Sequence, residues 1–327
     1  MTRKMEIKAE VFQIAGSFTI SRGARTHAHV VRVVLQENGH TAQGECVPYP
    51  RYDESVESVT AQIEAARAAI ESGCGREELQ EIMPAGAARN AVDCALWDLE
   101  AKETGKTAAE IAGLPPLKPA ITAFTISLGD PEKMLGDART AAHRELLKVK
   151  LGGDGDAERI AAVREGAPRS TIILDANEAW RESLFEPLMA VAAEAGAALV
   201  EQPLPAGDDA ILKSVARPVP VCADESLHTR ADLAALRERY DCVNIKLDKA
   251  GGLTEALMLQ REARKLGFQI MTGCMVGTSL GMAPAMLIAQ DAEFVDLDGP
   301  LLLAEDREPP IEFPGSSIMP PPRALWG

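Results

Sequence analysis

Three short apolar runs in the second half of the chain each lead to a carboxylate: TIILDA to Asp175, AALVEQP to Glu201, and VPVCADE to Asp224 with Glu225 beside it. The run before them, LLKVKL, carries Lys148 and Lys150, and the run after them, CVNIKLD, carries Lys246 and Asp248. A last run, EFVDLDG, holds Asp296 and Asp298. Carboxylates brought together from neighbouring strands repel one another unless a cation neutralises them, and an oxygen-only donor set suits Mg²⁺ better than zinc. A magnesium site at Asp175, Glu201 and Asp224 is therefore expected. One strand-end carboxylate alone is more often a helix cap or a solvated charge, but three in register make coincidence a poor explanation. Side chains alternate along a strand, so Lys148 and Lys150 point the same way, inward, with Val149 turned to the other side. A divalent cation and neighbouring ammonium groups disfavour lysine protonation, which lets such a lysine take a proton near neutral pH. Lys249 and Lys265 read instead as solvated or ion-paired lysines.

The elements that must position these residues recur about every 25 residues, the spacing of a βα unit. Strand-like runs cover residues 121–126, 146–151, 171–176, 197–203, 219–225, 242–248, 268–274 and 293–299. Helical stretches such as AERIAAVREGA and TEALMLQREARKLG lie between them. Eight parallel strands with covering helices close more economically into a barrel than they sit as an open sheet with two edges, and a barrel places its active site at the C-terminal strand ends. The predicted class is α/β: a (β/α)7β TIM-type barrel over residues 119–302, with an N-terminal α+β capping domain over residues 1–118. The tail, residues 303–327, is too rich in proline for a final helix and is expected to pack on the cap.

Composition narrows the partners. The 327 residues carry 34 Lys and Arg against 49 Asp and Glu, a net charge of −15, which argues against nucleic acid and against an anionic membrane surface. No run reaches the roughly 18 apolar residues of a membrane span, and the N-terminus lacks a secretory pattern. The six cysteines have no zinc or disulfide spacing and read as small buried hydrophobes in a reducing cytoplasm. A homo-oligomer is expected from the general habit of barrels.

The segments KVK (148–150), LDANEAW (174–180), VEQPLP (200–205), CADES (222–226) and NIKLDKAGG (244–252), with GECVPYPRY and NAVDCALWDLEAK in the first half, resemble the enolase superfamily and its muconate-lactonizing subgroup over essentially the whole chain. Enolase-superfamily sites pair a Lys or His base with Mg²⁺. The seventh strand's GCMVGTSLG has no histidine, which departs from the mandelate-racemase pattern and supports a two-lysine arrangement. Asp296 and Asp298 resemble the DxD pair with which dipeptide epimerases bind a substrate's free ammonium.

The resemblance implies one Mg²⁺ per subunit on Asp175, Glu201 and Asp224, stabilising an enediolate, while Lys150 and Lys246 exchange the α-proton of a dipeptide's C-terminal residue on opposite faces. Lys148 stays cationic beside the substrate carboxylate. Asn177 and Glu225 position other groups rather than ligate the metal, and Asp248 pairs with a lysine. Segments 16–26 and 48–53 are the specificity loops, from which Arg22 or Arg25 would grip a glutamate side chain, as in the murein peptide L-Ala-D-Glu. Thr125, Met275 and Thr278 are expected to line the pocket. The rival readings are an N-succinylamino acid racemase or o-succinylbenzoate synthase, whose ligands lack the ammonium, and a catalytically silent barrel that only binds.

Overall fold

The computed structural model describes residues 3–327. Its first half opens with an antiparallel meander, β1 (Lys4–Ile20), β2 (Gly23–Glu37) and β3 (His40–Cys46), in sheet order β1-β2-β3. Helices α1 (Val56–Glu71), α2 (Arg76–Ile82) and α3 (Ala87–Thr104) cover this sheet. Alternation along β2 turns Val31, Val33 and Leu35 to a core shared with Val59, Ile63 and Ile70 of α1, and α1 begins on a capping box at Ser55. The contact between β3 and α3 is so close that a Cβ on Gly44 would stand 2.2 Å from the Ala91 carbonyl oxygen. Only glycine fits there.

After a short strand β4 (Ala120–Ile121) come eight barrel strands: β5 (Phe124–Ile126), β6 (Leu146–Lys150), β7 (Thr171–Asp175), β8 (Leu199–Glu201), β9 (Val221–Ala223), β10 (Cys242–Ile245), β11 (Gln269–Gly273) and β12 (Phe294–Asp296). They form one eight-stranded sheet in unbroken sequence order with parallel pairing from β5 through to β12. The seam is joined by the Ala123 amide donating to Val295 O at 2.8 Å. All eight runs expected from the sequence are strands.

Two apolar cores hold the barrel. Ala123, Leu146, Ile173, Leu199, Cys222, Cys242 and Met271 fill its lower interior. Leu147, Val149, Ile172, Leu174, Val200, Val221, Val243 and Ile270 face the surrounding helices instead. Val149 is thus turned outward between two inward lysines, as alternation requires.

The cap is fastened to the barrel at the turn after β10. Gly251 and Gly252 adopt φ of +80° and +113°, and a Cβ on Gly252 would lie 2.5 Å from the Asp93 carboxylate. Helix α3 packs into that space: Arg89 donates to Ala250 O and Gly251 O at 2.8 and 2.9 Å, and Thr254 N donates to Asp93 at 2.9 Å. The tail pairs β13 (Ser317–Ile318) with β4, then sends the Trp326 indole to Cys94 O and Gly327 N to Asp98, both at 2.9 Å, on α3.

Candidate active site

Strand register assembles the charged layer. Lys150 is paired with Asp175 and Asp175 with Glu201 across β6, β7 and β8, and Asp224 follows directly on β9. Lys246 follows directly on β10, four strands from β6 in the eight-stranded order, so Lys150 and Lys246 stand on opposite sides of the mouth. Gly273 on β11 offers no side chain, and a Cβ there would come 2.6 Å from Asn244 Oδ1.

The charges interlock. Lys148 Nζ lies 2.7 Å from Asp296 Oδ2, 2.7 Å from Glu201 Oε2 and 3.1 Å from Asp175 Oδ2. Lys150 Nζ donates to Asp175 Oδ2 at 2.6 Å, and Lys246 Nζ to Asp224 Oδ2 at 2.7 Å. Asn244 donates to Glu201 Oε1 at 2.7 Å. Asp175, Glu201 and Asp224 are at most 1% exposed. Burial raises every carboxylate here, but Lys150 and Lys148 hold Asp175 below its ordinary range, and Lys246 and Lys249 do the same for Asp224. Glu201 goes the other way, pushed up to about 7 by burial and by Asp175.

Burial opposes the ammonium form of Lys148 and Lys246, but the surrounding carboxylates outweigh it and hold both well above the usual lysine value. The expectation of a lysine neutral near pH 7 depends on a divalent cation; with the protein's own groups alone, Asp224 holds Lys246 in its charged form.

Among the described residues no group of three or more His, Cys, Asp or Glu forms a ready-made metal cage, because lysine ammonium groups stand between the carboxylates. The donor chemistry nevertheless fits a hard cation. Among the described residues Glu225 Oε2 and Asn244 Oδ1 are buried without any hydrogen-bond partner, and Glu201 Oε2 meets Lys148 at short distance without hydrogen-bond direction.

Above this layer a cavity of about 510 Å³ is enclosed between barrel and cap, with Lys150, Asp224, Glu225, Asn177 and Lys246 on its barrel side. On its cap side stand Phe18, Arg22, Arg25, Tyr49 and Tyr52, with Met275 at the edge. Arg22 bridges the two sides, donating to Glu225 Oε1 at 2.8 Å, Asn177 O at 3.0 Å and Glu178 Oε2 at 3.1 Å. Arg51 joins it with a bidentate pair to Glu178, both bonds 2.8 Å. Arg25 stacks on the Tyr49 ring at 4.8 Å and makes no ion pair among the described residues.

Several expected positions differ. Thr278 is fully buried away from the cavity: it caps the helix Ser279–Ala289, donates to Glu45 Oε2 at 2.7 Å and accepts from Arg307 at 3.0 Å. Asp248 pairs with no lysine; its Oδ1 accepts from Val47 N at 3.0 Å and Asn90 Nδ2 at 2.8 Å. Asp296, Asp298 and Thr125 are buried and do not line the cavity. Asp298 Oδ2 accepts from the Thr125 amide at 2.7 Å, and burial together with Asp296 pushes its carboxyl up to about 7.

Three residues escaped sequence reasoning. Lys249, expected only to be solvated or ion-paired, is 2% exposed and ion-paired with Asp224 at the site itself. Gln202, at φ +35°, accepts from Asp224 N and Ser226 N at 2.9 and 3.1 Å. Glu178, at φ +69°, ties down both cap loops. The one available signal was their adjacency to strand-end carboxylates.

Comparison with known proteins agrees with this geometry. Residues 2–113 match the mandelate racemase / muconate lactonizing enzyme N-terminal domain, and residues 133–321 match the enolase C-terminal domain-like family. An L-Ala-D/L-Glu epimerase of Escherichia coli strain K12 is 48% identical over 95% of this chain and 98% of its own. An N-acetyl-D-glutamate racemase of a Pseudoalteromonas species is 44% identical over 91% and 95%. An enolase family member from Agrobacterium tumefaciens, with homology to dipeptide epimerases and solved with sodium and L-Ala-L-Glu, superposes with a TM-score of 0.98 at 56% identity, covering 99% of this chain and all of that one. Dipeptide epimerases at 26–29% identity, with TM-scores of 0.90–0.91, were solved with magnesium and a dipeptide.

Proposed function

The chain belongs to the enolase superfamily, in its dipeptide-epimerase group, and from that premise we propose a Mg²⁺-dependent dipeptide epimerase of L-Ala-D/L-Glu type that inverts the α-carbon of the C-terminal residue. The observation that carries this reading is the pair Lys150 and Lys246, half a barrel apart and lining one cavity. One Nζ takes the α-proton and the other returns a proton to the opposite face, which inverts the centre. Asp175, Glu201 and Asp224 would hold the ion, which supplies positive charge to the substrate carboxylate when bound. Lys148, pinned by carboxylates, adds fixed positive charge beneath it.

Asp296 and Asp298 would take the dipeptide's ammonium. The unpartnered Asp296 Oδ1 supports this, and so does the cost of burying two adjacent carboxylates with Lys148 as their nearby cation and Thr125 as hydrogen-bond donor. Arg25 is the better candidate for a glutamate side chain, because the guanidinium of Arg22 is already taken by Glu225, Glu178 and Asn177. Such a substrate would belong to murein-peptide metabolism.

A second reading, racemisation of an N-acylated glutamate, is favoured by the Pseudoalteromonas relative and by Asp296 and Asp298 being engaged within the protein. The two separate in one experiment. The protein is incubated with Mg²⁺ in deuterated buffer with L,L- and L,D-dipeptides and with N-acetyl- and N-succinyl-glutamate, and α-deuterium is read by mass spectrometry. Exchange in dipeptides ending in glutamate is expected. Exchange confined to N-acyl amino acids would overturn the dipeptide assignment, and exchange in none would support a silent barrel.

A further inference from the structure

We propose that Lys249 is a positioning residue for Asp224: it fixes one carboxylate oxygen and the main chain of that residue, so that the other oxygen alone faces the cavity and serves a cation. The inference rests on the metal-binding reading of Asp224 given above.

The helical turn Leu247–Ala250 starts directly after Lys246 and is stopped by Gly251 in the left-handed region, φ +80°. On such a turn a residue three positions after Lys246 returns to the same side, which brings Lys249 back toward β9. Its Nζ donates to Asp224 Oδ1 at 2.6 Å, to Asp224 O, and to Asn244 O at 3.2 Å. An ammonium has three N–H groups, so every donor is spent. Lys249 is 2% exposed and does not line the cavity, so it has neither a spare proton donor nor a route to substrate.

Asp224 is consequently held at four points. Its amide donates to Gln202 Oε1 at 2.9 Å, its carbonyl and Oδ1 are taken by Lys249, and its Oδ2 meets Lys246 Nζ at 2.7 Å. The two lysines divide one carboxylate. Lys249 comes from the closed side, and Lys246, which lines the cavity, is the partner that moves when Oδ2 is claimed by a cation. Without Lys249 the carboxylate could rotate and Oδ1 would lose its donor. Groups that orient metal ligands in this way are worth about 10- to 100-fold in affinity.

Mg²⁺ and Mn²⁺ affinity of the full-length protein, measured by calorimetry and by Mn²⁺ electron paramagnetic resonance, tests the assignment. K249M is expected to bind about 10- to 100-fold more weakly, with kcat recovering substantially at saturating metal. K249R should recover part of the lost affinity. Unchanged binding in K249M overturns the proposal; tighter binding also overturns it, because that is what removal of a merely repulsive charge would do. If K249M does not fold, as judged by circular dichroism, K249Q carries the test: it retains a donor for Oδ1 and should fall between wild type and D224N. D224N is the control for the underlying reading. Equal affinity in D224N and wild type would remove Asp224 from the metal site, and the role of Lys249 with it.

Discussion

The floor of the site and its lid are held by the same kind of bond, at opposite extremes of exposure. In the floor, Lys148 touches Asp175, Glu201 and Asp296 with side chains that are 0–6% exposed. In the lid, Arg22 and Arg51 grip Glu178 with side chains 28% and 36% exposed. Coulomb attraction strengthens several-fold from a surface to a buried setting, and the desolvation cost rises in step. The floor is thus expensive to build and costly to break. The lid is cheap to open. A site that must keep its acid-base groups fixed while admitting and releasing a ligand needs this asymmetry.

The largest effects should come from the floor's proton-transfer groups. K150A and K246A are each expected to lower the epimerisation rate about 10³-fold or more, read by polarimetry. One variant should still exchange the α-proton of one stereoisomer with solvent deuterium, because each lysine serves one face. Near-normal epimerisation in both variants would dissolve the two-base assignment.

Next comes stability. K148M leaves Glu201 and Asp296 buried without their cation and Asp175 with Lys150 alone, and should cost about 3–5 kcal/mol in urea denaturation. E178Q and R51M, at the lid, should each cost no more than about 1 kcal/mol. Equal losses at the two places would mean that the contrast in exposure has no energetic counterpart. For function the order is different: E178Q should raise KM for a dipeptide several-fold with little change in kcat, and should expose segment 16–26 to limited proteolysis, since both lid loops are tied to that carboxylate.

The same contrast governs what could be read from the sequence. The floor was legible because period-2 alternation is local: once LLKVK was a strand, Lys148 and Lys150 had to face inward and Val149 outward. At β12 the strand ends at Asp296 and Asp298 sits in a turn at φ −88°, ψ 4°, beyond the reach of strict alternation, yet Asp296 lies close enough to Asp298 to raise its carboxyl. Thr278 and Asp248 were misplaced for a related reason, and Lys249, expected to be solvated or ion-paired, had a partner that sequence could not name. Each lies after a strand end, where partners are chosen by what the cap or a neighbouring strand brings near: Glu45 for Thr278, Val47 and Asn90 for Asp248, Asp224 for Lys249. Period and spacing carry no information about those meetings.

A pH-dependent effect lies at the seam between floor and cap. Asp248 on the barrel accepts from Val47 and Asn90 of the cap, and burial pushes its carboxyl up to about 7. A group whose folded value is raised binds its proton more tightly in the folded protein. Its contribution is present in full below the unfolded carboxylate value, near 4, and is lost as pH rises toward 7. Asp248 therefore makes stability fall across that window, and D248N, whose amide oxygen can still accept from Val47, should flatten this component of the slope. Urea midpoints measured at intervals from pH 4.5 to 7.5 in wild type and D248N check this. An unchanged slope would show that Asp248 ionises in the folded protein as it does in the unfolded chain, and that the cap is seated on a charged carboxylate rather than a neutral one.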